Sequence, residues 1–260
     1  MQRCYIEPEK WADNRLPLDP KEAHHLRHVL RLAEGAPILA FDGQGHEAET
    51  VLRQNLDGQP CLQVIQIRDK LSARQAPQWI LVPAIIKGSR MDSLIEKATE
   101  LGATRIIPIQ TARSVVRLDP RQAVAKVERW ERIAISAAKQ CGTPTLPGIA
   151  PVTDLAGALR TLQSEDIPIL LGSLEGAPPP IARVAREWMA RQPKGIAILT
   201  GPEGDFTPAE YQQATTAGCA PVNLGKLTLR AETATIYALS VLQALYGEMQ
   251  TEDHANQTTD

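Results

Sequence analysis

Three glycine-rich segments mark where this 260-residue chain could do chemistry: Leu171-Gly-Ser-Leu-Glu-Gly176, Thr200-Gly-Pro-Glu-Gly-Asp205 and Leu224-Gly-Lys-Leu-Thr-Leu-Arg230. Each follows directly on an apolar run that reads as a strand. In an open α/β sheet, ligands collect beyond the carboxyl ends of the strands. A glycine there lets backbone N–H and C=O groups approach a ligand, because it has no Cβ to hold it off. Three such loops at one edge suit an adenine ring, which asks for amide partners and apolar walls. Three ordinary turns would use the same residues, and one glycine-rich loop by itself is a weak signal.

Other chemistries find less support. Cys4, Cys61, Cys141 and Cys219 stand far apart without C-x-x-C spacing. That speaks against a disulfide framework or a zinc ribbon and for a reducing compartment. His24, His25 and His28 are close in sequence, but no cysteine or carboxylate joins them at ligand spacing, so no metal is expected. A signal-like leader and a bilayer-length apolar run are both missing, and a cytoplasmic protein is the expectation. The formal net charge of -2 and pI of about 6.2 are not those of a typical nucleic-acid binder, although a local basic face would suffice.

Two kinds of segment must position these loops. The first seventy residues read mainly as strands, with Pro37–Phe41, Glu47–Leu52 and Cys61–Ile67 separated by Asp-Gly turns at 42–45 and 55–58, and with a short helix over 20–30. Their period-two alternation predicts a small antiparallel sheet or barrel. The polar stretch 69–77 reads as a linker. Beyond it strands alternate with helices: strands at 79–86, 105–110, 167–171, 195–200 and 221–224, and helices at about 91–101, 121–139, from 154, before 195, from 207 and over 231–246. Thr207-Pro-Ala-Glu210 offers an N-cap, a proline at the first helical position and a glutamate three residues after the cap. Such alternation predicts an α/β fold with a mostly parallel sheet covered on both faces.

Leu199-Thr-Gly-Pro-Glu-Gly204, with Leu224-Gly225 and Leu229-Arg-Ala-Glu-Thr-Ala234, closely resembles the signature segments of the RsmE family, the ribosomal RNA uridine-N3 methyltransferases of the SPOUT superfamily. Lys87-Gly-Ser-Arg-Met91, Glu96–Gly102, Arg113–Val116, Trp130–Ile135, Lys139–Gly142, His24–Leu26, Val29–Arg31 and Phe41–Gly43 are similar to further family segments, in order along the chain. The resemblance implies a PUA-like RNA-binding β-barrel over 1–72, a SPOUT methyltransferase domain with a trefoil knot over 73–247, and a polar tail over 248–260. It implies homodimers, S-adenosylmethionine as cofactor and 16S ribosomal RNA, in the assembling small subunit, as substrate.

Carried onto this chain, the cofactor would contact Leu171, Gly172, Leu199, Thr200, Gly201, Pro202, Gly204, Leu224, Gly225, Leu227 and Leu229. Arg230 would hold the uridine or its developing charge, and Glu203 would assist proton removal or organise its loop. Glu232 and Thr233 would cap the last helix or touch the base. Arg27, Arg31, Lys87, Arg90, Arg113 and Arg117 are candidates for phosphate contacts. The chain departs from the family pattern where Leu227 and Thr143 replace basic residues and Asp205 replaces a glycine. Another RNA target, on a base or a ribose 2′-hydroxyl, or a non-catalytic role in ribosome assembly, would use the same segments. A nicotinamide-dependent dehydrogenase would need a G-x-G-x-x-G after an early strand, which is missing.

Overall fold

The computed structural model describes residues 1–11, 14–55, 58–69 and 77–257. The linker expected over 69–77 thus lies almost wholly outside the described residues, as does the centre of the turn at 55–58. The chain forms two compact units, Met1–Ala76 with Ile135–Leu146, and Pro77–Ala134 with Pro147–Asp260.

The first unit holds β1 (Gln2–Tyr5), β2 (Arg15–Pro17), α1 (Pro20–His24), β3 (Pro37–Phe41), β4 (His46–Gln54) and β5 (Pro60–Asp69). The sheet order is β1-β3-β4-β5-β2, antiparallel except for the parallel pair β1–β3. Alternating residues of these strands bury Cys4, Ile38, Ala40, Leu52 and Leu62 in one cluster. The expected helix over 20–30 is one α-turn continued by a π-turn at His25–Val29. Asp19 caps it by accepting from the Lys21 N–H at 2.8 Å. Segment 135–146 is tied in by Lys139 donating to Glu22 at 2.7 Å, by Arg3 donating to the Thr143 carbonyl at 3.1 Å and by the Leu146 N–H donating to Gly43 O at 2.8 Å.

The second unit carries β6 (Gln78–Pro83), α2 (Ser89–Glu100), β7 (Arg105–Ile106), β8 (Ile109–Gln110), most of α3 (Pro120–Cys141), β9 (Gly148–Ile149), β10 (Thr153–Asp154), α4 (Leu155–Ser164), β11 (Ile169–Gly172), α5 (Ile181–Met189), β12 (Gly195–Thr200), α6 (Pro208–Thr216), β13 (Ala220–Val222) and α7 (Ala231–Gln257). Six strands form a parallel sheet in the order β13-β11-β12-β6-β7-β9. Alternate residues of its central strands face opposite layers. Ile80, Val82, Ile169, Leu171, Ala197 and Leu199 pack with α4 and α6, while α7 packs over β12 and β6 from the other side, with Trp79 edge-on to Tyr246. Among the described residues, no helix is long and apolar enough to cross a membrane.

The local signals explain the element ends. Gly102, at φ +76°, follows Leu101, the C-cap residue of α2. Pro108 separates β7 from β8, because a proline has no N–H for the ladder. Asp154 accepts from the Gly157 N–H at 2.7 Å and starts α4. The predicted box at α6 is complete: Thr207 Oγ1 accepts from the Glu210 N–H at 3.2 Å, and Glu210 accepts from the Thr207 N–H at 2.8 Å. Thr207→Ala is expected to lower the unfolding free energy by about 1 kcal/mol, seen as a lower urea midpoint. The last helix departs from expectation by running beyond Tyr246 to Gln257. No proline interrupts residues 247–257, and Gly247 costs a helix only about 1 kcal/mol.

Candidate active site

β13, β11 and β12 are neighbours in the sheet, so the loops that follow them emerge side by side at its carboxyl edge. They enclose a cleft of about 490 Å³ lined by Gly172–Leu174, Thr200–Glu203 and Leu224–Arg230, with Ala231 and Ala234 of α7 closing one side. β11 lies between β12 and β13, although it precedes both in sequence. That order is what turns three distant glycine segments into one site.

Each loop is held by identifiable bonds. Ser173 N–H donates to Val222 O at 3.1 Å, joining the first loop to β13. Thr200 Oγ1 and Thr235 Oγ1 lie 2.7 Å apart, both buried, and clip the end of β12 to α7. Asn223 Oδ1 accepts from the Gly225 N–H at 2.6 Å, a side-chain-closed turn that sets Gly225 at φ +120°. A Cβ on Gly172 would come within 3.3 Å of Leu224 Cδ1, and one on Gly201 within 3.2 Å of the Phe206 ring. Glycine at these two positions therefore lets the loops close on one another. Among the described residues, the main-chain groups of Gly201, Leu224, Leu227 and Leu229 make no hydrogen bond within the protein, and all four residues line the cleft.

Charged residues ring the opening. Arg230 is exposed beside the cleft, and among the described residues its guanidinium has no ion-pair partner. Among the described residues it makes no salt bridge to nearby Glu232 either, which would have tied it to the start of α7. Glu232 instead has an oxygen 3.9 Å from Arg90, whose guanidinium donates to Glu203 at 2.6 Å. Arg90 and Glu203, read from sequence as a phosphate contact and a proton acceptor, are thus partners in one ion pair. Arg113 donates to the carbonyls of Gly204 at 3.0 Å and Phe206 at 3.1 Å, which spends two of its hydrogen bonds on bracing the second loop. Glu210 joins this brace by accepting from the Ala112 N–H at 2.7 Å. Arg117 donates to Ala112 O at 2.6 Å.

The structure gathers Gly172, Thr200, Gly201, Pro202, Glu203, Leu224, Gly225, Leu227, Leu229 and Arg230 around the cleft. Leu171 and Leu199 do not reach it: their side chains are in the core beneath, because alternation along each strand turns them into the packed layer. Gly204 faces Arg113 rather than the cleft. Lys87 is exposed before α2 in the same unit, whereas Arg27 and Arg31 belong to the first unit, Arg27 in the π-turn and Arg31 just after it at φ +53°. Among the described residues, neither Glu232 nor Thr233 makes a capping hydrogen bond at α7; Glu232 has an oxygen 3.9 Å from Arg90. Among the described residues no group of histidines, cysteines and carboxylates could hold a metal ion.

Ser173, Leu174, Asn223 and Thr235 were not singled out from the sequence. Asn-x-Gly at 223–225 carried a readable turn signal. Thr235, one of several threonines in α7, carried none.

A parallel sheet that gathers three glycine loops over a cleft with free main-chain amides is a ligand-binding α/β domain. Residues 74–243 match the family model described as an RNA methyltransferase domain, and residues 18–54 match an RNA methyltransferase PUA domain. The chain belongs to the RNA methyltransferase family. Ribosomal RNA small subunit methyltransferase E of Bacillus subtilis is 33% identical over 252 residues, which are 93% of this chain and 96% of that protein. The crystal structure of a ribosomal RNA small subunit methyltransferase E from Neisseria gonorrhoeae bound to S-adenosyl methionine superposes with a TM-score of 0.80 at 32% identity, covering 94% of this chain and 98% of the other. A Legionella pneumophila methyltransferase in complex with the same cofactor gives a TM-score of 0.78 at 30% identity, covering 93% and 96%.

Proposed function

We propose that this chain transfers a methyl group from S-adenosylmethionine to N3 of a uridine in 16S ribosomal RNA. The observation that carries the reading is the cleft itself: three loops converging with the main-chain groups of Gly201, Leu224, Leu227 and Leu229 left free along it. Its size falls in the range of roughly 300–1,000 Å³ typical of small-molecule sites. The cofactors bound in the similar structures and the names of the similar proteins support the choice of ligand and RNA.

The residues present fit that cofactor. Free amides and carbonyls offer partners for an adenine edge, and Leu174, Leu224 and Leu229 offer apolar walls. When bound, S-adenosylmethionine supplies a methyl group already activated on a sulfonium. The protein then has to position the base, let its proton leave and stabilise the anion that forms. Uridine N3 lies between two carbonyls and becomes a nucleophile only as its proton departs. Arg230, permanently charged and able to bridge two acceptors, holds a carbonyl oxygen of the base as charge develops there. Glu203 and Arg90 hold one another at the opening, and Glu203 keeps the second loop in register with α2. The uridine reaches the cleft by unstacking or from a loop of the RNA.

In this reading residues 1–72 form the RNA-holding PUA-like barrel, with Arg27 and Arg31 toward phosphates, and residues 73–247, apart from the 135–146 segment tied into the first unit, the transferase, with Lys87, Arg90 and Arg113 on its RNA side. The segment after Leu224 passes through an earlier loop as a trefoil knot, an arrangement that the resemblance to the SPOUT methyltransferases implies. The enzyme works in the cytoplasm as a homodimer, without a metal. Incubation of the purified chain with unmodified 16S RNA and S-adenosylmethionine, followed by nucleoside mass spectrometry, is expected to yield 3-methyluridine. A 2′-O-methyl product, or no product from a chain that still binds the RNA, would replace this reading.

A further inference from the structure

Residue 205, the last of the second loop, is an aspartate held at φ +58°. That left-handed conformation is open to glycine and costs other residues about 1 kcal/mol or more. The aspartate is engaged on every side. Its Oδ1 accepts from the Phe206 N–H at 2.8 Å and from the Tyr211 hydroxyl at 3.0 Å, and Oδ2 lies 3.1 Å from the same hydroxyl. Tyr211, in the first turn of α6, is only 8% exposed. Its hydroxyl oxygen in turn accepts from the Leu174 N–H at 3.4 Å. A chain of hydrogen bonds therefore runs from the second loop, through a helix side chain, to the backbone of the first.

We infer that Asp205 and Tyr211 are a positioning pair that locks the Ser173–Gly176 loop against the Thr200–Asp205 loop and thereby sets how tightly the cleft grips its nucleoside ligand. The inference rests on the reading of the cleft given above. Leu174 is the residue through which the pair acts. Its side chain is 64% exposed and lines the cleft, so the position of its backbone decides whether it forms an apolar wall. A phenol is protonated at neutral pH in any case, and burial pushes that of Tyr211 still higher, so it donates to Asp205. A glycine at 205 would remove the carboxylate that accepts from that hydroxyl and leave it only the Ser173 side chain and the Leu174 N–H as neighbours. A phenylalanine at 211 would leave the Leu174 N–H without its partner.

The test is calorimetric titration of the full chain and its variants with S-adenosylhomocysteine, together with KM for S-adenosylmethionine and kcat on RNA. Tyr211→Phe and Asp205→Gly are each expected to weaken binding about fivefold, the worth of one hydrogen bond. KM should rise in step, with kcat changing less than twofold. The double variant should bind no more weakly than either single one, because both break the same relay. Asp205→Asn, whose amide oxygen still accepts from the phenol, should restore binding to within twofold. Unchanged affinity in both single variants, or independent losses that multiply in the double variant, would overturn the inference. A failure of the unaltered chain to bind S-adenosylhomocysteine would overturn the reading of the cleft, and this inference with it.

Discussion

Arg230→Ala is expected to lower methyl transfer by about a thousandfold, while affinity for S-adenosylhomocysteine changes less than threefold. The guanidinium stands at the rim of the cleft with no ion-pair partner among the described residues, so its removal leaves no buried charge behind. Its main-chain carbonyl accepts from the Ala234 N–H at 2.8 Å, a bond that alanine keeps, so the start of α7 should survive. The loss is therefore expected in kcat, where charge on the base is stabilised, and not in cofactor binding or the urea midpoint. Single-turnover transfer to RNA, measured beside ligand titration, separates these. Transfer within tenfold of the unaltered chain would remove Arg230 from the role assigned to it.

Phe206→Ala is expected to cost about 3–5 kcal/mol of stability and to weaken cofactor binding as well. The ring is buried in the main core cluster of the second unit, and it meets Tyr211 edge-on at 5.7 Å between ring centres. Gly201 rests against the same ring. Truncation thus opens a cavity directly beneath the second loop and removes the ring on which Gly201 rests. Urea unfolding followed by fluorescence reads the first effect, and titration at a urea concentration where the variant is folded reads the second. A loss below 1 kcal/mol would show that the loop is held from elsewhere.

Much of the architecture could be read from local chemistry. Thr207-Pro-Ala-Glu210 announces the start of α6 because all the groups of its capping box lie within four residues. Gly102 announces the end of α2, and strand–helix alternation after residue 78 announces a parallel sheet. The short elements were less legible. β1 and β2 are three or four residues long and gain their pairing only from strands thirty or more residues away. The final helix outran its apolar pattern, since polar residues continue a helix as readily as they leave one.

Residue types and spacing by themselves determined that three glycine loops follow strands, and that Arg230 ends the last of them. Only the tertiary structure decided that β11 lies between β12 and β13, that Arg90 pairs with Glu203, that Arg113 braces Gly204 and Phe206, and that Tyr211 bridges Asp205 to Leu174. The physical reason is range. A cap or a glycine turn is settled by groups a few residues apart, whereas these partners, from strand order to the Arg113 brace, meet across tens of residues. Even the Asp205–Tyr211 contact acquires its meaning only when Leu174, 37 residues from Tyr211, is brought to the phenol.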